Sequence, residues 1–120
     1  MRCILIEHMT DCLFCKMVNG DIKPDIVFEN DTVLAFNDID PKAPVHILII
    51  PKRHISTLND LDDAELGGQL LQTAALLAKQ LGLADDGYRT VFNCNKMGGQ
   101  AVYHLHLHLL GGRQMTWPAG

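Results

Sequence analysis

The chain has no surplus of positive charge: ten Lys and Arg stand against fourteen Asp and Glu, a net charge of −4. A general nucleic-acid binder needs clustered cations to release counterions from phosphates, so that class is excluded. A small anionic substrate held by backbone amides is not. Long hydrophobic runs are also absent. The longest uninterrupted aliphatic stretch is Ile47-Leu48-Ile49-Ile50, far short of the ~20 residues a membrane span needs. The amino end, Met1 to Ile6, is too short in apolar residues for a signal peptide and offers no convincing cleavage site. No internal repeat or low-complexity linker divides the sequence. Without an export signal, Cys3, Cys12, Cys15 and Cys94 are expected in a reducing compartment, by default the cytoplasm, where a disulfide framework is not expected.

What is present is ordinary globular material: 120 residues, 48% apolar and 20% charged. A chain of this length can bury about two-thirds of its unfolded surface in one core. Residues 1–9 read as an unassigned extension, with Met9 an alternative start, and 10–120 as a single domain. Asp11 is a candidate N-cap for a short helix over Cys12 to Val18 that stops at Asn19-Gly20. Ile26 to Glu29 and Thr32 to Phe36 read as a hairpin around Asn30-Asp31. The segment Asp38 to Pro44, with two prolines, is a loop, and Val45 to Ile50 a central strand. Asp60 or Asp62 can cap a long helix whose apolar stripe, Leu66, Leu70, Ala74, Leu77 and Leu81, follows 3.6-residue spacing until Gly82. Tyr88 to Cys94 is a strand with Cys94 packed inside it, Asn95 to Gly99 a glycine loop, and Tyr103 to Leu110 the last strand. The fold class is α+β, with a mostly antiparallel sheet of about five strands, one long helix and one short one.

The informative stretch is His104-Leu105-His106-Leu107-His108-Leu109-Leu110. Strand residues alternate faces, so the three imidazoles share one face and three leucines the other. The leucines must pack under the helix. Three imidazoles need partners for six ring nitrogens, which an ordinary core does not supply. Two chemistries want such a row: a metal site, or nucleophilic attack by an imidazole on phosphorus with its neighbours orienting it. The upstream loop suits the second. Gly98-Gly99 can expose amides as an anion nest, and Asn93 and Gln100 add neutral polar contacts.

These residues match the His-φ-His-φ-His-φ-φ signature, and the chain resembles the histidine triad (HIT) family. Gly98 to Tyr103 and Gly111 to Pro118, together with Phe36 to Pro41 and His46 to Lys52, look like its Hint branch, so the resemblance runs from about Cys12 to Gly120. It implies the HIT fold and hydrolysis of purine nucleoside phosphoramidates and AMP or GMP conjugates at the α-phosphate. It implies His106 as nucleophile, with His104, His108 and His46 contacting the phosphate or tuning the attacking ring. Asn93, Gly99 and Gln100 would line the phosphate site, Asp38 would hold the ribose hydroxyls, and Phe14, Ile22, Phe36 and Ile39 would form the purine slot. Taken singly, each of those four apolar residues reads as core. The resemblance further implies a homodimer joined sheet edge to sheet edge. Two departures stand out: Ala101 where many Hint proteins carry a serine that assists the leaving amine, and Thr116 where a histidine is common.

Cys12-Leu13-Phe14-Cys15 is a C-x2-C that reads alone as a redox pair, half a zinc site or coincidence. Zinc needs two further ligands from far along the chain. The HIT resemblance supplies candidates, His54 and His104, and implies a structural zinc on Cys12, Cys15, His54 and His104. Cys3 and Cys94 are expected to be unpaired. The reading carried forward is a cytoplasmic nucleotide phosphoramidase. Its rivals are a dinucleoside polyphosphate hydrolase, a non-catalytic nucleotide-binding scaffold, and a zinc hydrolase using the triad itself, which lacks a carboxylate in the strand to serve as base.

Overall fold

A computed structural model describes residues 12–120. The readings of residues 1–9, of Cys3 and of Asp11 as a cap fall outside them. Helix α1 spans Leu13–Val18, and its N-cap is Cys12, whose sulfur accepts from the Cys15 amide at 3.2 Å. Strands β1 (Ile26–Glu29) and β2 (Val33–Asn37) form the expected hairpin. Its turn is set by Asn30, whose side-chain oxygen accepts from the Thr32 and Val33 amides, the Asx arrangement that makes asparagine a turn residue. Strand β3 is Val45–Pro51. A 3-10 turn at Leu58–Asp60 precedes the long helix α2, Ala64–Gln80.

The long helix is capped by Asp63, not by either expected aspartate: its carboxylate accepts from the Leu66 amide at 3.1 Å. Asp60 is already engaged in a capping box with Thr57. Leu66, Leu70, Ala74 and Leu77 are buried as the spacing predicts, but Leu81 sits beyond the last turn and is half exposed. Strand β4 is Tyr88–Phe92, shorter than expected, because Cys94 starts the four-residue helix α3, Asn95–Gly98. Cys94 is therefore half-buried at a helix start rather than packed in a strand. Strand β5 is Leu107–Gly111.

Among the described residues, the five strands form one antiparallel sheet in the order β1-β2-β3-β5-β4, so the architecture is α+β as expected. Central β3 buries Ile47, Leu48, Ile49 and Ile50, and serves both faces. On one face Ile47, Ile49, Val33, Ala35, Leu105, Leu107 and Leu109 pack beneath the α2 stripe. On the other, Leu34, Phe36, Leu48 and Ile50 pack against Phe14 and Cys15 of α1. The histidines belong to this second face.

The triad departs from the expected continuous strand. Only His108 lies in β5; His104 and His106 precede it. There the Leu105 amide donates to the Ile55 carbonyl instead of entering the ladder. The partner strand has run out: Leu107 is the first β5 residue paired with β3, opposite Ile49, and Pro51, which ends β3, has no amide to donate. The alternation nevertheless survives. Leu105 stays with the α2 core, and the rings of His104 and His106 both contact Phe14.

Candidate active site

Neighbouring strands bring His46 and His108 together. In β3, His46 shares its face with Leu48 and Ile50, and β5 lies alongside with His108 opposite Leu48. The two rings meet with His46 Nε2 2.9 Å from His108 Nδ1. The ring of His106 follows, 4.9 Å from that of His108 between centroids, and Phe14 braces it edge-on at 5.3 Å. His104 is fully buried behind them. Four imidazoles thus occupy one face, three of them in a continuous row.

Backbone groups fix which nitrogen carries each proton, because a carbonyl only accepts. Nδ1–H of His106 donates to the His104 carbonyl at 2.8 Å. Its Nε2 is then the lone-pair nitrogen whenever the ring is neutral. Nε2–H of His104 donates to the Pro51 carbonyl at 2.8 Å, so that ring turns its Nδ1 lone pair toward the cysteines. Burial lowers the pKa of all four rings by penalising the imidazolium. His108 falls to about 4 through burial and then the neighbouring His106 and His46. His104 also falls to about 4, chiefly through burial. At neutral pH the row is therefore uncharged, as a histidine nucleophile requires.

The second constellation lies behind the first. Sγ of Cys12 is 3.3 Å from His104 Nδ1, and Sγ of Cys15 is 3.1 Å from His54 Nδ1 and 3.5 Å from His104 Nδ1. The four ligand atoms all lie within 4.8 Å of one another. Burial raises the Cys12 pKa, so its thiolate needs a nearby cation. Two sulfurs and two imidazole nitrogens are a zinc-type donor set, and the His104–Pro51 hydrogen bond is the outer-shell contact that orients such a ligand. Ligation would require the deprotonated sulfurs of Cys12 and Cys15, so a metal would bind the reduced chain.

The remaining predicted residues divide. Asp38 lies beside the row, with Oδ2 3.4 Å from His46 Nε2. Phe14 and Phe36 are buried and meet edge to face at 5.4 Å; they are floor, not open walls. Ile39 is fully exposed and Ile22 partly so. Asn93 is half-buried just past β4. The Gly99 and Gln100 amides, expected to line an anion site, already have partners in the turn. The Gly99 amide donates to the Lys96 carbonyl and the Gln100 amide to the Asn95 carbonyl, both at 3.0 Å, closing α3. Of the pair only Gly99 has positive φ, 82°. The Gln100 side chain is equally committed, donating to the Ser56 and Val102 carbonyls and accepting from the Asn95 amide. It ties the turn together. Ala101 is exposed and offers no hydroxyl. Sequence reasoning missed the Pro51 and His104 carbonyls and the Lys42 amide, which donates to His46 Nδ1 at 3.0 Å. Such groups are common to every residue and leave no mark in a sequence.

A family profile described as the HIT domain matches residues 19–115. The chain belongs to the HIT family. The HIT match spans His46, His54 and the whole triad, while Cys12 and Cys15 lie ahead of it. A crystal structure of a HIT family hydrolase from Legionella pneumophila superposes with a TM-score of 0.88 at 58% identity, covering 91% of this chain and 99% of that one. The purine nucleoside phosphoramidase of Escherichia coli K12 is 48% identical over 107 residues, 88% of this chain and 90% of that protein. A 14 kDa zinc-binding protein of Brassica juncea is 50% identical over 115 residues, 92% of this chain and all of that one. Among the described residues of this HIT protein, no helix is long and apolar enough to cross a membrane.

Proposed function

We propose that this HIT protein is a cytoplasmic hydrolase of purine nucleoside phosphoramidates and AMP or GMP conjugates, cutting the P–N bond at the α-phosphate through a covalent nucleotidyl-His106. The observation that carries the reading is the His106 ring itself. With Nδ1–H held by the His104 carbonyl and burial opposing protonation, its Nε2 has the lone pair that attack on phosphorus needs. The similarity to the E. coli phosphoramidase supports the same substrate class.

In this scheme Nε2 of His106 attacks the α-phosphorus, a nitrogen–phosphorus bond to the enzyme forms, and the substrate P–N bond breaks. The amine leaves with a proton taken from water or a neighbouring histidine, since Ala101 cannot supply one. Water then attacks the adduct, freeing the mononucleotide and restoring the ring. His108, His46 and Asn93 contact the phosphate; Gly99 and Gln100 shape the turn beside it. Asp38 takes the ribose hydroxyls, a role its carboxylate suits because it accepts from two vicinal hydroxyls at once. Ile22 and Ile39 close over the purine above Phe14 and Phe36. Cys12, Cys15, His54 and His104 would hold a zinc ion in the reduced protein, whose contribution is to fix the strand carrying His106. A homodimer joined along a sheet edge would cover an otherwise open ladder.

Turnover of a fluorogenic adenosine phosphoramidate, compared with His106→Ala, tests the reading. Loss of about 10³-fold or more in kcat with AMP binding retained is the expected result for removing a covalent nucleophile. Equal slow rates for both proteins would favour the nucleotide-binding scaffold, for which the missing hydroxyl at Ala101 is the one supporting feature.

A further inference from the structure

We propose that Arg113 is a positioning residue of this site, acting through the peptide groups that flank Lys42 to set the tautomers of His46 and His108. The inference rests on the reading of those two histidines as phosphate contacts and adds to it the device that orients their protons.

The chain of contacts begins with a donor that cannot change role. The Lys42 amide donates to His46 Nδ1 at 3.0 Å, so that nitrogen carries a lone pair. Neutral His46 must therefore hold its proton on Nε2. That N–H points at His108 Nδ1, 2.9 Å away, with the Asp38 carboxylate alongside at 3.4 Å. Accepting at Nδ1 makes His108 the second Nε2–H tautomer. One main-chain amide thus decides, two rings away, that His108 offers a donor rather than a lone pair from its far nitrogen. A phosphate oxygen needs a donor there.

The same logic decides against a rival use of these groups. Asp38, His46 and His108 bring three potential ligand atoms within 4.8 Å. A divalent cation there would need the Nε2 lone pair of His46, and with Nδ1 already accepting from a backbone amide that nitrogen presents a proton instead. The cluster is a hydrogen-bond chain.

The amide must be held for this to work, and the loop carrying it is gripped from two sides. At its base the Asp38 amide donates to the His46 carbonyl at 2.9 Å, and the Asp40 amide to the Asp38 carboxylate at 2.8 Å. At its flank the segment after β5 closes on it. Arg113 Nε–H donates to the Lys42 carbonyl at 3.1 Å. Its neighbour Gly112 lies so close to Pro44 that a Cβ there would sit 2.9 Å from the Pro44 Cβ. Pro41, preceding Lys42, has its φ locked by its ring. Holding the Lys42 carbonyl from outside therefore leaves the amide little freedom to turn away from His46. Arg113 is itself exposed, so its loss should loosen this loop without unfolding the chain.

Long-range proton–nitrogen correlation spectra of the full chain, labelled with ¹⁵N-histidine and recorded without substrate at pH 7.5, read the tautomers directly. His46→Gln assigns the signals. The wild type should show both His46 and His108 as Nε2–H. Arg113→Ala should give mixed tautomers at both rings, with an unchanged melting temperature, and should lower kcat about 3- to 10-fold while KM stays within about twofold, the scale of one lost hydrogen bond acting on orientation. Arg113→Lys, which keeps a cationic donor, should recover part of kcat. An Nδ1–H form of either ring in the wild type would overturn the proposal, as would wild-type tautomers in Arg113→Ala. Wild-type protein with the stated tautomers, a tautomer shift in Arg113→Ala and no phosphoramidase turnover would sink the functional reading and leave this one standing.

Discussion

The main-chain carbonyl of His104 accepts the Nδ1 proton of His106 at 2.8 Å, while the His104 ring reaches Cys12 with its own Nδ1 at 3.3 Å. A single residue thus belongs to both constellations. Its ring faces the cysteine cluster, and its backbone sets the tautomer of the proposed nucleophile. Whatever fixes the position of the His104 ring also fixes the carbonyl that aims His106.

Metal removal should therefore register twice. Reduced protein purified without added zinc should hold close to one zinc per chain by elemental analysis. Stripping it with a chelator, or making Cys12→Ser, should cost at least about 2 kcal/mol, a drop in melting temperature of roughly 10 °C for a domain of this size. Activity should fall as well, although the proposed scheme brings none of the four ligand atoms to the substrate. Zinc near zero, or loss of stability with kcat intact, would break the link.

Acid should destabilise the fold through the histidine row. The pKa of His108 lies at about 4, against an ordinary value of 6.5, and His46 and His106 are lowered too, all chiefly by burial. A lowered folded value means the unfolded chain binds more protons between the two values. Stability is thus complete above about pH 6.5 and lost progressively as pH falls toward 4. Melting temperature measured from pH 7.5 to 5 should decline, and His108→Asn should flatten that slope. A flat wild-type profile over this window would contradict the burial argument.

Gly112→Ala probes the contact between the tail and the loop. Its φ of 90° is strained for any residue with a side chain, and the added Cβ would strike Pro44. A cost of about 1–3 kcal/mol in stability is expected, from the backbone conformation plus the clash. Because Pro44 belongs to the loop that holds the Lys42 amide, kcat should fall with it. A variant as stable and as active as wild type would show that the loop is not gripped there.

Leu70→Ala is the contrasting case. Leu70 is fully buried in the α2 core, on the face away from the histidines. Truncation should destabilise by about 2–5 kcal/mol while kcat of the folded protein stays near wild type. Chemical denaturation and turnover at low temperature separate the two effects.

Much of this is legible in the amino-acid sequence. The leucines opposite the histidines and the α2 stripe from Leu66 to Leu77 follow from side-chain periodicity, and the buried strand from Ile47 to Ile50 follows from its uninterrupted aliphatic run. The errors arose where a backbone group found a better partner. Asp60 was spent on Thr57, so Asp63 capped the helix. The Gly99 and Gln100 amides were consumed in closing α3. The row of histidines begins outside the sheet because Leu105 pairs with Ile55. Pairings distant in sequence, such as His46 with His108 or Arg113 with Lys42, leave no local pattern, since strand register and loop closure create them.

The central claim is that His106 bonds covalently to phosphorus. Wild-type protein mixed with an adenosine phosphoramidate, quenched within the first turnovers and digested, should yield a peptide containing His106 that carries one adenylyl mass. Fragmentation should place that mass on His106, and it should be absent from His106→Ala. Full turnover with no adduct at any quench time, or with the label on another residue, would contradict the account.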